Sequence, residues 1–447
     1  MYINMAKMAV SLLRRRPKPI YEHLKKHFGQ SPAKWPVVRA TFPRFRHPCV
    51  ALALQNYIRG QGRRAAILGT STYDADLTLG DLMHHDKFAR QMEGPVEFRD
   101  VTLSNGRSLT YAAQAVYLIG NDHEKLAVLV TGSGRYDEVV TVEVLARDRN
   151  SAQKFISEIR LLADLHSIYR GKVVSVKVKK YEGPDVSFHN VPKVESQHLI
   201  LPESVLEQVT RHTSGFSEHH RLLVSRGQHL KRGLLLYGPP GTGKTLTMMH
   251  IITSMPGRTT ILVSAGGVHY LEEACSLARS LAPATVIIDD VDLIAEERSF
   301  NNGTSVLFEL LNQMDGVGRD SDVLFLLGTN RPEALEPALA SRPGRVDQAI
   351  LIPLPDDDCR RRLIDFYGQN IPLALHDPDQ LVEGTSGASG AFIRELFRKA
   401  VLLAANEGSE IPINDHHLDA ALKSLQGGGA VLQKLLAFKA KEEAGVA

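Results

Sequence analysis

Two hydrophobic periodicities divide the chain. Between residues 65 and 194 apolar positions recur every second residue, so 109–119, 126–130 and 139–145 read as half-buried strands and Glu97-Phe98 as part of another. Thr131-Gly132-Ser133-Gly134-Arg135 reads as a hairpin turn. The period then changes to three and four at Phe155, Ile156, Ile159, Leu162, Ala163 and Ile168, predicting a helix capped by Asn150 or Ser151 and stopped at Gly171. Val174, Val176 and Val178 alternate in a following strand, so 65–194 is expected to be an α+β domain. From Glu195 onward strands and helices alternate. Apolar runs at 233–237, 259–265, 284–289, 323–329 and 348–354 are separated by helical stretches at 245–254, 270–281 and 305–314. That pattern predicts an α/β fold with a parallel sheet covered on both faces, over 195–357. Helical stretches at 358–369, 391–406 and 415–424 predict a helical subdomain over 358–425, and 426–447 reads as a Gly-rich linker with an amphipathic tail (Val431, Leu432, Leu435, Leu436, Phe438). Ahead of all this, residues 1–64 show two short helical signals, Tyr21/Leu24/Phe28 and Ala51/Leu52/Leu54/Tyr57/Ile58, separated by Pro32, Pro36, Pro43 and Pro48.

Charge changes the picture only at the start. Of a net charge of +3, residues 1–64 carry about +13, with 14 Lys/Arg against Glu22 alone, which leaves the remainder near −10. The segment therefore reads as a basic helical arm. Trp35, Phe42 and Phe45 among Arg39, Arg44 and Arg46 give a modest nucleic-acid-binding pattern. Cys49, Cys275 and Cys359 have no C-x-x-C spacing, so neither a disulfide framework nor a zinc site is indicated, and a reducing compartment fits. The apolar residues 1–13 are interrupted by Lys7 and followed by Arg14-Arg15-Arg16, the reverse of a secretory signal. No stretch approaches twenty apolar residues, so no transmembrane segment is expected and the protein reads as soluble and cytoplasmic. In the α+β region His123, His166 and His189 are scattered and suggest no catalytic constellation.

The candidate chemistry lies in the α/β region. Gly238-Pro239-Pro240-Gly241-Thr242-Gly243-Lys244-Thr245 joins the first strand to a helix and fits G-x-x-x-x-G-K-[ST] at every constrained position. Its glycines permit backbone N–H groups to turn inward around an anionic phosphate, Lys244 adds a mobile charge, and the Thr245 hydroxyl is placed to ligate Mg²⁺. The following helix N-terminus, with Leu246, adds a favourable dipole. The third strand runs Thr285-Val286-Ile287-Ile288 into Asp289-Asp290-Val291-Asp292. There Asp289 is expected to hold the Mg²⁺ hydration shell and Asp290 to polarise an attacking water. The fourth strand ends Gly328-Thr329-Asn330-Arg331-Pro332, and Ser341-Arg342-Pro343-Gly344-Arg345-Val346-Asp347 precedes the fifth.

Together these motifs resemble the AAA family of ATPases, over about residues 195–425. The resemblance implies ATP and Mg²⁺ as ligands, Gly238–Leu246 as the phosphate loop, Thr245 and Asp289 at the metal, Asn330 as the polar sensor, and Arg342 and Arg345 as arginine fingers reaching a neighbour's nucleotide. It also implies a hexameric ring that hydrolyses ATP to remodel or translocate an unidentified protein partner, with the α+β domain as adaptor. Gly387-Ala388-Ser389-Gly390-Ala391 resembles the start of the family's lid helix. Two departures matter: Asp290 stands where the family usually has glutamate, which predicts slow turnover, and residues 264–271 lack the family's pore trio, offering only His269 and Tyr270. The short loop resembles the branch that includes the mitochondrial translocase of a folded Rieske protein, whose transmembrane anchor is not seen here, and favours handling of a folded cargo over threading. The alternative, not favoured, is a nucleotide-gated module whose basic arm docks on nucleic acid or an anionic surface.

Overall fold

Alternating apolar residues build the first unit around an antiparallel sheet. The computed structural model describes residues 19–70, 77–83, 92–132, 139–179, 183–263, 270–295, 306–315, 321–335, 345–408 and 412–427. Strands β1 (Val37–Pro43), β2 (Arg64–Thr70), β3 (Glu93–Gly94), β4 (Glu97–Thr102), β5 (Ser108–Gly120), β6 (Lys125–Thr131) and β7 (Val139–Ala146) run in the order β1-β7-β6-β5-β2-β3, with β4 also on β5. β6 and β7 pair from Leu126↔Ala146 to Thr131↔Thr141, as a hairpin requires, and residues 133–135 of its expected turn lie outside the described residues. Ile20, Leu24, Leu79, Val116, Leu129 and Leu145 form a core on this sheet, while the helices His47–Arg59 and Arg149–Leu165 meet through Tyr57 and Phe155, edge to face at 4.8 Å.

Residues 37–64 are not a solvated arm. β1 is paired along its length with β7, from Val37↔Leu145 to Pro43↔Val139, and helix His47–Arg59 buries Cys49, Val50, Ala53, Leu54 and Tyr57. Phe42 and Phe45 are buried and Trp35 packs edge-on against Phe28 at 4.7 Å, so these aromatics are core side chains. Several of the bases are also engaged within the unit: Arg39 with Glu143, Arg46 with Asp164, and Arg63 over the Tyr57 ring. Helix Arg149–Leu165 is capped by Asp148, whose carboxylate accepts from the Ser151 amide at 2.9 Å, and not by Asn150 or Ser151. It ends at Leu165, six residues before Gly171, with His166 as its C-cap.

The compact division falls inside β8 (Val173–Lys179): Met1–Arg170 and Val176–Phe188, which includes most of β9 (Gly183–His189), form one unit, and Gly171–Ser175 with His189–Ala447 the other. In the second unit β10 (Arg232–Tyr237), β11 (Thr259–Val263), β12 (Ala284–Ile288), β13 (Val323–Thr329) and β14 (Gln348–Leu351) form a parallel sheet ordered β14-β10-β13-β12-β11, and Val173–Ser175 extends it on β11. β10 alternates across the sheet. Leu234 and Leu236 join Val205, Val209, Met248 and Ile251, from helices Glu203–Thr210 and Lys244–Ser254, in one core. At the amino ends of the strands, Asp322 accepts from Arg258 Nη1 at 2.7 Å and Arg232 Nη2 at 3.4 Å. Burial, and then the Arg258 charge, lowers the Arg232 pKa to about 10.

Helices Asp357–Gly368, Pro378–Gly384, Gly390–Glu407 and Asp415–Gln426 pack around Leu363, Phe392, Leu396, Phe397 and Leu418. Among the described residues no helix is long and apolar enough to cross a membrane. The segment 1–16, the loop 264–269, Arg342 and the tail from Gly428 onward lie outside the described residues.

Candidate active site

Parallel packing brings the carboxyl ends of β10, β12 and β13 side by side, and the polar residues after each strand converge there. After β10 the loop reaches helix Lys244–Ser254 through Gly238, Gly241 and Gly243, with φ of 147°, 73° and 105°. Gly238 is required twice, because a Cβ there would stand 2.2 Å from the Ile352 carbonyl oxygen. Lys244 is buried and its Nζ donates to the carbonyls of Gly238 at 2.8 Å and Pro239 at 2.7 Å. Burial lowers the ammonium's pKa, while Asp289, Asp290 and Asp292 oppose that shift.

The Thr245 hydroxyl donates to Asp289 Oδ2 at 2.6 Å, which joins the phosphate loop to the end of β12. Asp289 Oδ1 accepts from the Asp290 amide at 3.1 Å. Asp290 has φ of 51°, and its Oδ1 accepts from Asn330 Nδ2 at 3.0 Å. Burial chiefly, then the charges of Asp289 and Asp292, raises the Asp290 carboxyl above the usual range.

Two supporting residues were not singled out from the sequence. Asp292 is buried and accepts from the Thr329 hydroxyl at 2.7 Å; Thr329 Oγ1 in turn accepts from the Arg331 amide at 2.9 Å, so the residues flanking Asn330 are tied to β12's end. Gly328 gives Asp289 room: a Cβ there would lie 2.4 Å from Asp289 Oδ1. A glycine one residue before the strand's end was the only sign of this in the sequence.

Beside the loop opens a cavity of about 620 Å³, lined by Thr242–Leu246, Asp289, Asp290 and Asn330 on one side and by Leu199–Leu201, Phe366 and Ala391 on the other. Its size suits a small organic ligand, and its apolar wall adjoins the anion-binding loop. The Ser389 hydroxyl caps helix Gly390–Glu407 by accepting from the Phe392 amide at 3.2 Å, and Ala391 N donates to the Gly241 carbonyl at 3.1 Å, which sets the helical subdomain against the loop. His198 and Phe366, 5.3 Å apart, also border the cavity, a pairing with no signal in the sequence.

Of the expected site residues, Pro240–Leu246, Asp289, Asp290 and Asn330 line this cavity, and Gly238 and Pro239 hold Lys244 beside it. Arg345 does not join them. Its carbonyl oxygen would stand 2.2 Å from a Cβ on Gly233, at the amino end of β10, and β10 spans about 16 Å before the loop begins.

A parallel sheet whose first strand feeds a G-x-x-x-x-G-K-T loop, faced by an Asp-bearing strand end and a polar one, defines a P-loop nucleotide-binding fold. Residues 234–354 match the family described as ATPase family associated with various cellular activities (AAA), so the chain carries an AAA ATPase domain. It is 33% identical over 256 residues to the proteasome-activating nucleotidase of Methanopyrus kandleri, covering 54% of this chain and 56% of that protein. Against the 26S proteasome regulatory subunit S10B homolog B of Arabidopsis thaliana it is 29% identical over 321 residues, covering 68% and 77%. Against the human ATPase family gene 2 protein homolog A it is 31% identical over 258 residues, covering 54% and 28%. The chain thus spans about half the nucleotidase and less of the human protein.

Proposed function

We propose that the chain hydrolyses ATP with Mg²⁺ and works as an oligomeric ring that remodels a protein partner in a reducing, cytoplasmic compartment. The observation that carries the reading is the chain of contacts Thr245–Asp289–Asp290–Asn330 along the cavity mouth. A phosphate loop alone binds nucleotide; a carboxylate held on an amide beside it is what hydrolysis adds. Thr245 and Asp289, 2.6 Å apart, present the hydroxyl and carboxylate oxygens that suit a hard cation. When bound there, Mg²⁺ would neutralise phosphate charge. Lys244, now on its own loop's carbonyls, supplies the cation for phosphate oxygens. Asp290, its pKa raised toward the operating pH, orients and accepts a proton from water, and Asn330 fixes its carboxylate. The raised pKa makes the base fail at a higher pH than an ordinary carboxylate would as solutions are acidified.

The position of Arg345, to which the reading adds Arg342, supports the ring: its backbone lies at the end of β10 away from the phosphate loop, which favours a role at a neighbour's nucleotide over one at its own. That the named relatives include proteasome-associated ATPases favours a protein as the substrate. In this reading the antiparallel unit is the adaptor. The test is phosphate release with Mg²⁺ and with EDTA. Hydrolysis should require Mg²⁺ and fall by about 100-fold or more in both Lys244→Ala and Asp289→Asn. Full activity in either variant would refute the site.

A further inference from the structure

The segment that carries Arg345 is fastened to β10 at two points. Gly233 N donates to Asp347 Oδ2 at 2.8 Å, and Asp347 N donates to the Gly233 carbonyl at 2.8 Å. Between these bonds the Arg345 carbonyl rests on Gly233 so closely that a Cβ would lie 2.2 Å away. Two residues past Asp347 the chain is already in register on β10, with Leu235 opposite Ala349. The Asp347 side chain is exposed, so its carboxylate is not needed to fill a core. What it does hold is the entry of the finger segment into the sheet.

We propose that Asp347 is the positioning residue for Arg345, its carboxylate clamping the finger segment to the Gly233 amide. The claim rests on the reading of Arg345 given above. Its consequence is mechanical: β10 carries the phosphate loop at one end and the clamp at the other, so a subunit's own nucleotide site and the guanidinium it offers to a neighbour share one six-residue strand. Displacing a group that stabilises a transition state by about 1 Å costs on the order of 100-fold in rate.

The experiment uses the full chain. In Asp347→Ala, steady-state ATP hydrolysis should drop about 100-fold, while affinity for a fluorescent ATP analogue in its own site stays within about twofold. Asp347→Asn keeps an oxygen to accept from Gly233 and should regain most of the rate. Mixing Asp347→Ala subunits with Lys244→Ala subunits, each strongly impaired alone, should raise hydrolysis above either alone, because intact phosphate loops then face intact fingers. Arg345→Ala is measured alongside. If Arg345→Ala is inactive but Asp347→Ala hydrolyses like the parent, the clamp is overturned and the finger stands. If Arg345→Ala is fully active, the finger reading fails and the clamp with it. Equal loss in Asp347→Ala and Asp347→Asn, or no recovery on mixing, also overturns the clamp.

Discussion

Asp290 has the left-handed backbone that few non-glycine residues adopt; among the described residues only Gln61 shares it. Aspartate tolerates this region better than a longer side chain does, because its short polar group bonds locally. The sequence alone makes Asp290 look a methylene short of its task. The turn at φ 51° alters that, since it swings the carboxylate onto Asn330 at 3.0 Å without the extra carbon. Asp290→Glu is therefore expected to lower kcat or leave it unchanged, as the longer side chain overshoots Asn330. Asp290→Ala should lower kcat by about 100-fold with ATP affinity kept. Stopped-time phosphate release together with a nucleotide-binding titration separates the two quantities. A gain in kcat for Asp290→Glu would show that reach, and not backbone, limits the parent.

At the scale of elements, the strands of the P-loop sheet were legible because each is a continuous apolar run ending in polar residues; the predicted 323–329 matches β13, and 284–289 overruns β12 by a residue. β1 was hidden for a physical reason. It lies at a sheet edge, where one row of backbone amides needs no partner, so Pro36 and Pro43 can flank it without breaking a ladder. Periodicity likewise identified the strand at Val174 but not its neighbours: alternation says that a residue faces a core, not which sheet supplies it. His47 shows a further limit. Placed in sequence among prolines and arginines, it starts a helix whose packing buries it edge-on against Tyr111 at 4.7 Å, with no partner for Nε2 among the described residues. Burial above all, then Arg99 and Arg44, lowers its pKa to about 3. The unfolded chain takes up this proton near its ordinary pKa of about 6.5 and the folded one does not, so the stability is fully present above about 6.5 and is lost progressively as pH falls toward 3. His47→Phe in the full chain should flatten the fall in melting temperature between pH 7 and 4. An unchanged slope would assign that fall to other groups.

At the scale of the whole molecule, the finger role proposed for Arg345 requires a second copy of the chain. The phosphate loop and Arg345 stand at opposite ends of β10, about 16 Å apart along a strand that a parallel sheet holds straight on both sides. Specific ATPase activity should then depend on protein concentration, falling on dilution as rings dissociate and recovering on concentration. Light scattering with ATP should show an assembly of about six subunits that shrinks over the same range. Arg345→Ala should lose about 1,000-fold in kcat without losing assembly or own-site binding, since a finger acts on transition-state charge and not on the ground state. A monomer whose specific activity is flat across dilution would break the link between the two ends of β10, and would require a cation from within the same subunit.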